Sequence, residues 1–72
     1  MHKMMILDRT GHTTVEWIPT DEAAIKAATE AFNAAIQNGL AYKVEGKTRE
    51  MIREFDATAT EIIITPQLVG GK

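Results

Sequence analysis

Cysteine is absent from the 72 residues. The chain can therefore hold no disulfide, no thiolate nucleophile and no thiolate zinc site. That usage is what a reducing compartment permits. With no long apolar stretch or small-residue cleavage site in Met1–Asp8, an intracellular, cytoplasmic location is expected. No apolar run approaches the roughly 18 residues of a membrane span. Basic residues are also too few to dominate. Eight Lys and Arg against ten Asp and Glu give a net charge of −2 and a pI near 5.6, which argues against a large phosphate-binding surface. Aromatics are scarce, with one Trp, one Tyr and two Phe. The basic stretch Lys43, Lys47, Arg49 and Arg53 is balanced by Glu45, Glu50 and Glu54, and it has only Tyr42 for base stacking. No nucleic acid, membrane or cofactor is expected as a partner.

What is present is 44% hydrophobic and 25% charged residues, the balance of one small soluble domain. The ordered core is expected over 4–66 and a tail over 67–72. A chain of this length buries only about 60% of its unfolded surface. Its stability margin is then of the order of a few kcal/mol unless a partner covers leftover apolar area.

The clearest element is alanine-rich, with seven Ala between Ala23 and Ala35. Ile25, Ala28, Phe32, Ala35 and Ile36 follow the spacing of one buried helical stripe. Thr20 is expected as N-cap, with Asp21 and Glu22 in the first turn where the helix dipole favours acid. Asn38-Gly39 is expected to end the helix, with Gly39 left-handed at the position after the cap. The helix is thus read over 21–38.

Before it, Met4–Leu7 and Thr13–Ile18 read as strands. Asp8–His12 forms the hairpin between them, and Gly11 supplies a positive φ. After the helix, Leu40–Glu45 alternates, with Leu40, Tyr42 and Val44 on one face. Gly46-Lys47 is a turn. The Gly46-Lys47-Thr48 string resembles the end of a phosphate loop, but Ala41 stands where that motif needs glycine. Arg49–Phe55 has two readings. Met51, Arg53 and Phe55 share a strand face, whereas Met51, Ile52 and Phe55 also fit one helical turn; the strand is favoured. Asp56–Ala59 reads as an Asp-capped turn, Glu61–Thr65 as a strand, and Pro66 as its end.

The runs Met4–Leu7 and Ile62–Ile64 are continuously apolar, as central strands are. They are expected side by side mid-sheet, with their hairpin partners flanking. The fold class expected is therefore α+β: a mixed four- to five-stranded sheet with one helix on one face, in ββαββ order. In element order, spacing and size this layout resembles the β-grasp fold of ubiquitin-like proteins. The likeness spans Met4 to Gly71 and includes the turn at Asp56–Ala59 and the Gly70-Gly71 pair. It implies, as one reading of function, a modifier or sulfur carrier whose terminal glycine carboxylate is activated. Gly70 and Gly71 would be the conjugation residues, after removal of Lys72. The phrases Asp8-Arg9-Thr10-Gly11, Phe55-Asp56 and Pro66–Gly71 are also similar to small bacterial and phage proteins without assigned activity, which implies an accessory role.

His2 and His12, with Asp8, would make a metal site if the hairpin brought them together; solvated loop histidines are the simpler reading. No histidine has a Ser or Cys partner in sight, so no catalytic residue is named and the protein is expected not to be an enzyme. Trp17 is expected in the core beneath Phe32 and Ile36.

The most informative feature is a surplus. One helix covers one face of a sheet, yet both central strands are apolar on both faces. Met5 and Ile63 are expected on the uncovered side, with Ile18 at its rim. Such a patch marks a protein contact. Burying about 300 Å² of it is worth on the order of 7 kcal/mol before association costs. The expected function is a non-enzymatic interaction module that binds a protein partner or a second copy of itself as a homodimer.

Overall fold

A computed structural model describes residues 2–8 and 11–66. The elements are β1 (His2–Asp8), β2 (Gly11–Trp17), α1 (Glu22–Ala35), β3 (Gly39–Glu45), β4 (Thr48–Ile52) and β5 (Glu61–Pro66). They form a five-stranded mixed sheet in the order β2-β1-β5-β3-β4. The two apolar strands lie together in the middle, with β1 parallel to β5 and the other neighbours antiparallel. The α+β class and the ββαββ order with a fifth strand are those expected.

Local chemistry explains the element ends, with two corrections. The helix N-cap is Asp21, not Thr20: its Oδ1 accepts the Ala24 N–H at 3.1 Å from an extended backbone. An ionised carboxylate at this position also meets the positive end of the helix dipole, which a threonine hydroxyl cannot match. The helix closes at Ile36, whose N–H donates to the Phe32 carbonyl, and Asn38 N–H tightens the exit on the Ala35 carbonyl.

Gly39 does not take the left-handed position; it is already the first residue of β3 and pairs with Pro66. Its lack of a side chain serves a close approach. A Cβ there would stand 2.6 Å from the Thr65 carbonyl oxygen and 3.2 Å from that of Ala35. The left-handed glycine is Gly46, at φ 59° in the β3–β4 turn, which Thr48 Oγ1 closes by donating to the Glu45 carbonyl. That places Gly46-Lys47-Thr48 in a hairpin, as its surroundings implied.

The core lies between the sheet and α1. Strand alternation sends Met4, Trp17, Ala41, Ile62 and Ile64 to the helix side, where they meet Ala28 and Phe32, all nearly without solvent contact. Ile25, Ala35 and Ile36 pack against this set as expected of the helical stripe. Arg49–Phe55 resolves into a short strand, Thr48–Ile52, after which the chain leaves the sheet. The connection 53–60 then contributes Phe55 and Ala59 to the core. Trp17 is core, but its ring partners are Phe55 at 4.9 Å and His2 at 5.7 Å, and Phe55 in turn meets Phe32 at 5.9 Å. Trp17 Nε1 donates to the Ala57 carbonyl at 3.0 Å, so the buried indole leaves no donor unpaired.

Gly39→Ala tests the close approach. The added methyl must displace backbone of β5 or α1, so a loss of about 1–3 kcal/mol is expected in urea unfolding. An unchanged midpoint would show that the strands part there freely.

Candidate interaction face

Strand registers sort the opposite face of the sheet into rows. The middle row runs Thr14, Met5, Ile63, Tyr42, Met51 across β2, β1, β5, β3 and β4. Below it lies Glu16, Lys3, Glu61, Val44, Arg49. Above it, Leu7 pairs with His12, and Leu40 with Thr65. Residues in a row alternate in side with those before and after, so all of these share the face away from Met4, Ile62 and Ile64. Among the described elements the only helix is on the other side.

This places Met5 and Ile63 where the surplus put them: directly paired in the parallel β1–β5 ladder, on the face without the helix. Both are half-buried, because neighbouring side chains on the same face cover their flanks. Ile18 is 49% exposed and lies just beyond the end of β2, at the outer margin of the sheet. Gly70 and Gly71 lie outside the described residues.

Several members of the face were not named from sequence. In β3 the small Ala41 faces the helix while Leu40, Tyr42 and Val44 face away. Met51, at 52% exposure, extends the apolar row to the far edge. The alternation of Leu40–Glu45 was visible, but alternation does not say which side is inward. Tyr42, Arg49, Ile63 and Thr65 line a shallow dent of about 130 Å³ in this face.

The charges around the apolar row are mixed. Lys3 stands between Glu16 and Glu61 in register, and Arg49 lies at the end of the same row. Opposite charges side by side keep such a rim hydrated without a net field. An apolar strip with a rim of both signs has the composition of a contact surface.

The other chemical candidates come apart. His2 pairs with Trp17 and His12 with Leu7, so they sit at opposite ends of the β1–β2 hairpin. His2 and Leu7 are five residue steps apart along β1, about 17 Å at roughly 3.4 Å per residue. The His2 Nδ1–H donates to the Ala59 carbonyl at 2.6 Å, which makes it a brace for the 53–60 connection. Among the described residues no three His, Cys, Asp or Glu side chains cluster to hold a metal, and none of the buried residues is polar or charged. No described helix is long and apolar enough to cross a membrane.

A second polar feature is the turn at Asp56. Its Oδ1 accepts from the Thr58 N–H at 2.9 Å and the Thr58 hydroxyl at 2.6 Å, while Oδ2 meets Lys43 Nζ at 3.4 Å. Lys43 also reaches Glu50 at 3.8 Å across the β3–β4 ladder. The Thr58 hydrogen bonds, then Lys43, hold the Asp56 carboxyl below the usual aspartate range. The hydrogen bond that Lys43 donates to Asp56, then the Glu50 charge, holds Lys43 above the usual lysine range. This arrangement fastens the 53–60 connection to β3. It is the Asp-capped turn expected at 56–59.

The chain matches no known protein family, no curated protein and no solved structure.

The Asp56 turn makes stability depend on acid. A folded carboxyl held low stabilises the fold fully above the ordinary aspartate value near 3.9, and the effect fades as pH falls through the lower folded value. Asp56→Ala should therefore unfold at lower temperature than the parent at pH 7, and the two melting temperatures should converge below about pH 4. A gap that persists undiminished at pH 2 would mean the carboxylate charge is not what the turn uses.

Proposed function

We propose that this protein is a non-enzymatic protein–protein interaction module that docks a partner protein on the open face of its sheet. The observation that carries the reading is the in-register row Met5, Ile63, Tyr42, Met51. It sets four apolar side chains from four strands next to one another on the face opposite the helix. Met5 and Ile63 form its centre. The rim of Lys3, Glu16, Glu61 and Arg49 supplies register and solubility, and the centre supplies affinity. A domain of this size has little core to spare, so apolar side chains kept on the outside call for an occupant.

Met5→Lys and Ile63→Lys each place a charge on the face without entering the core. Both should keep the circular dichroism and the dispersed amide spectrum of the parent. Immobilised parent protein and the two variants are incubated with extract of the source cell, and the retained proteins are compared. At least one protein held by the parent should be lost from both variants, in line with the roughly 2 kcal/mol or more that a central contact carries. Identical retention by all three would remove the open face as a docking surface.

A further inference from the structure

The edge of the sheet at β2 is built differently from the edge at β4. Strand β4 has five residues, and Arg49 and Glu50 stand on it. Charged side chains and short length blunt an edge against pairing. Strand β2 has seven residues, Gly11–Trp17, with a single charged side chain, Glu16, and no proline or bulge. Its pairing with β1 is unbroken from Asp8↔Gly11 to His2↔Trp17. Such an edge is a template for another strand.

The hydrogen-bond phase shows which of its groups are on offer. The Lys3 N–H donates to the Thr60 carbonyl at 3.1 Å, so it points towards β5 and away from β2. Lys3 and Glu16 are therefore a pair without mutual hydrogen bonds. By alternation so are Met5↔Thr14 and Leu7↔His12. The N–H and C=O groups of His12, Thr14 and Glu16 accordingly point outward from the sheet edge. Their three side chains lie on the open face.

These three positions are self-complementary. Set antiparallel to a copy of itself about a two-fold axis at Thr14, β2 pairs Thr14 with the partner's Thr14 and His12 with the partner's Glu16, twice over by symmetry. All three outward residues of each strand then meet outward residues of the other, each pair exchanging both N–H···O bonds. Thr–Thr contacts and a histidine facing a carboxylate are favourable cross-strand neighbours. Slipping the register pairs fewer outward residues and separates His12 from the partner's Glu16. A shift that centres the axis on Glu16 sets the two carboxylates face to face. Ile18, exposed just past the end of β2, would lie at each end of the paired strands, which accounts for an apolar residue that the open face does not use.

We infer that the β2 edge takes a second copy of this chain, joining two sheets into one of ten strands by antiparallel β2–β2 pairing centred on Thr14. The two-fold axis stands perpendicular to the sheet, so both helices lie on one side. The rows Met5, Ile63, Tyr42, Met51 of the two copies continue each other on the opposite side through the Thr14 pair. This is an edge contact made through backbone groups, and it shares the rim residue Glu16 with the docking face proposed above.

Thr14→Pro is the decisive variant. Its missing N–H is one that faces outward, and proline is tolerated on an edge strand in that orientation. Sedimentation across a concentration series should give the parent twice the 7.9 kDa chain mass and Thr14→Pro the single-chain mass. Glu16→Lys should weaken the dimer about tenfold, and adding His12→Glu should restore it by reversing both partners. Met5→Lys should leave the mass doubled, which separates failure of the edge from failure of the face. A readout without substitution is amide exchange: the N–H groups of His12, Thr14 and Glu16 should exchange more slowly as protein concentration rises. A single-chain mass at every concentration overturns the inference. So does a dimer that survives Thr14→Pro, or exchange at those three amides that does not change with concentration. Protection that arises only on adding a different protein would assign the edge to a foreign strand and would equally overturn it.

Discussion

The parallel register between β1 and β5 governs both faces of this molecule at once. It sets Met4 beside Ile62 and Ile6 beside Ile64 under the helix, and in the same step Met5 beside Ile63 on the other side. Strand side chains alternate with a period of two, so a slip of one residue would turn each set over. The buried set then includes Met4, Ile62 and Ile64, all with at most 1% exposure. That burial makes the slip costly, and it holds the apolar row on the open face in place as a by-product.

A single helix of 14 residues does not by itself close the core. The connection 53–60 completes it, and it does so with little regular structure. Phe55 enters between Trp17 and Phe32, Ala59 is buried, and the segment is tied down by Trp17 Nε1 at Ala57, His2 at Ala59 and the Lys3 N–H at Thr60. The Asp56 turn then fastens the same segment to β3 through Lys43. The tethers come from β1, β2 and β3, so the connection is held to three of the five strands. His2, a residue that looked like a candidate for chemistry, is part of this bracing.

Much of the architecture was legible because it rests on local rules. The helix showed itself in the spacing of Ile25, Ala28, Phe32, Ala35 and Ile36, and the central strands in their unbroken apolar runs. The turn at Asp56–Ala59 and the hairpin at Gly46 followed from residues that favour those conformations. What went astray was decided by neighbours. Gly39 was read as a helix terminator because glycine often is one; it is instead the residue over which β5 passes too closely for a Cβ. Thr20 and Asp21 are both good caps, and only the path of the chain after Pro19 selects between them. The face was half legible: Met5 and Ile63 follow from the surplus over one helix, whereas Leu40, Tyr42 and Met51 needed the register of β3.

By itself the amino-acid order determined the helix, the first two strands, the central place of the two apolar strands, and the existence of more apolar surface than one helix covers. Those properties are set by periodicity, capping and composition, which act over a few residues. The strand at Thr48–Ile52 was settled by its pairing with β3. Which face of each strand turns inward, which amides of β2 are left at the edge, and where the 53–60 connection crosses were decided only in the folded sheet. They depend on the phase of hydrogen bonding between strands far apart in sequence, such as those of Lys3 and Glu61, and that phase has no local signature.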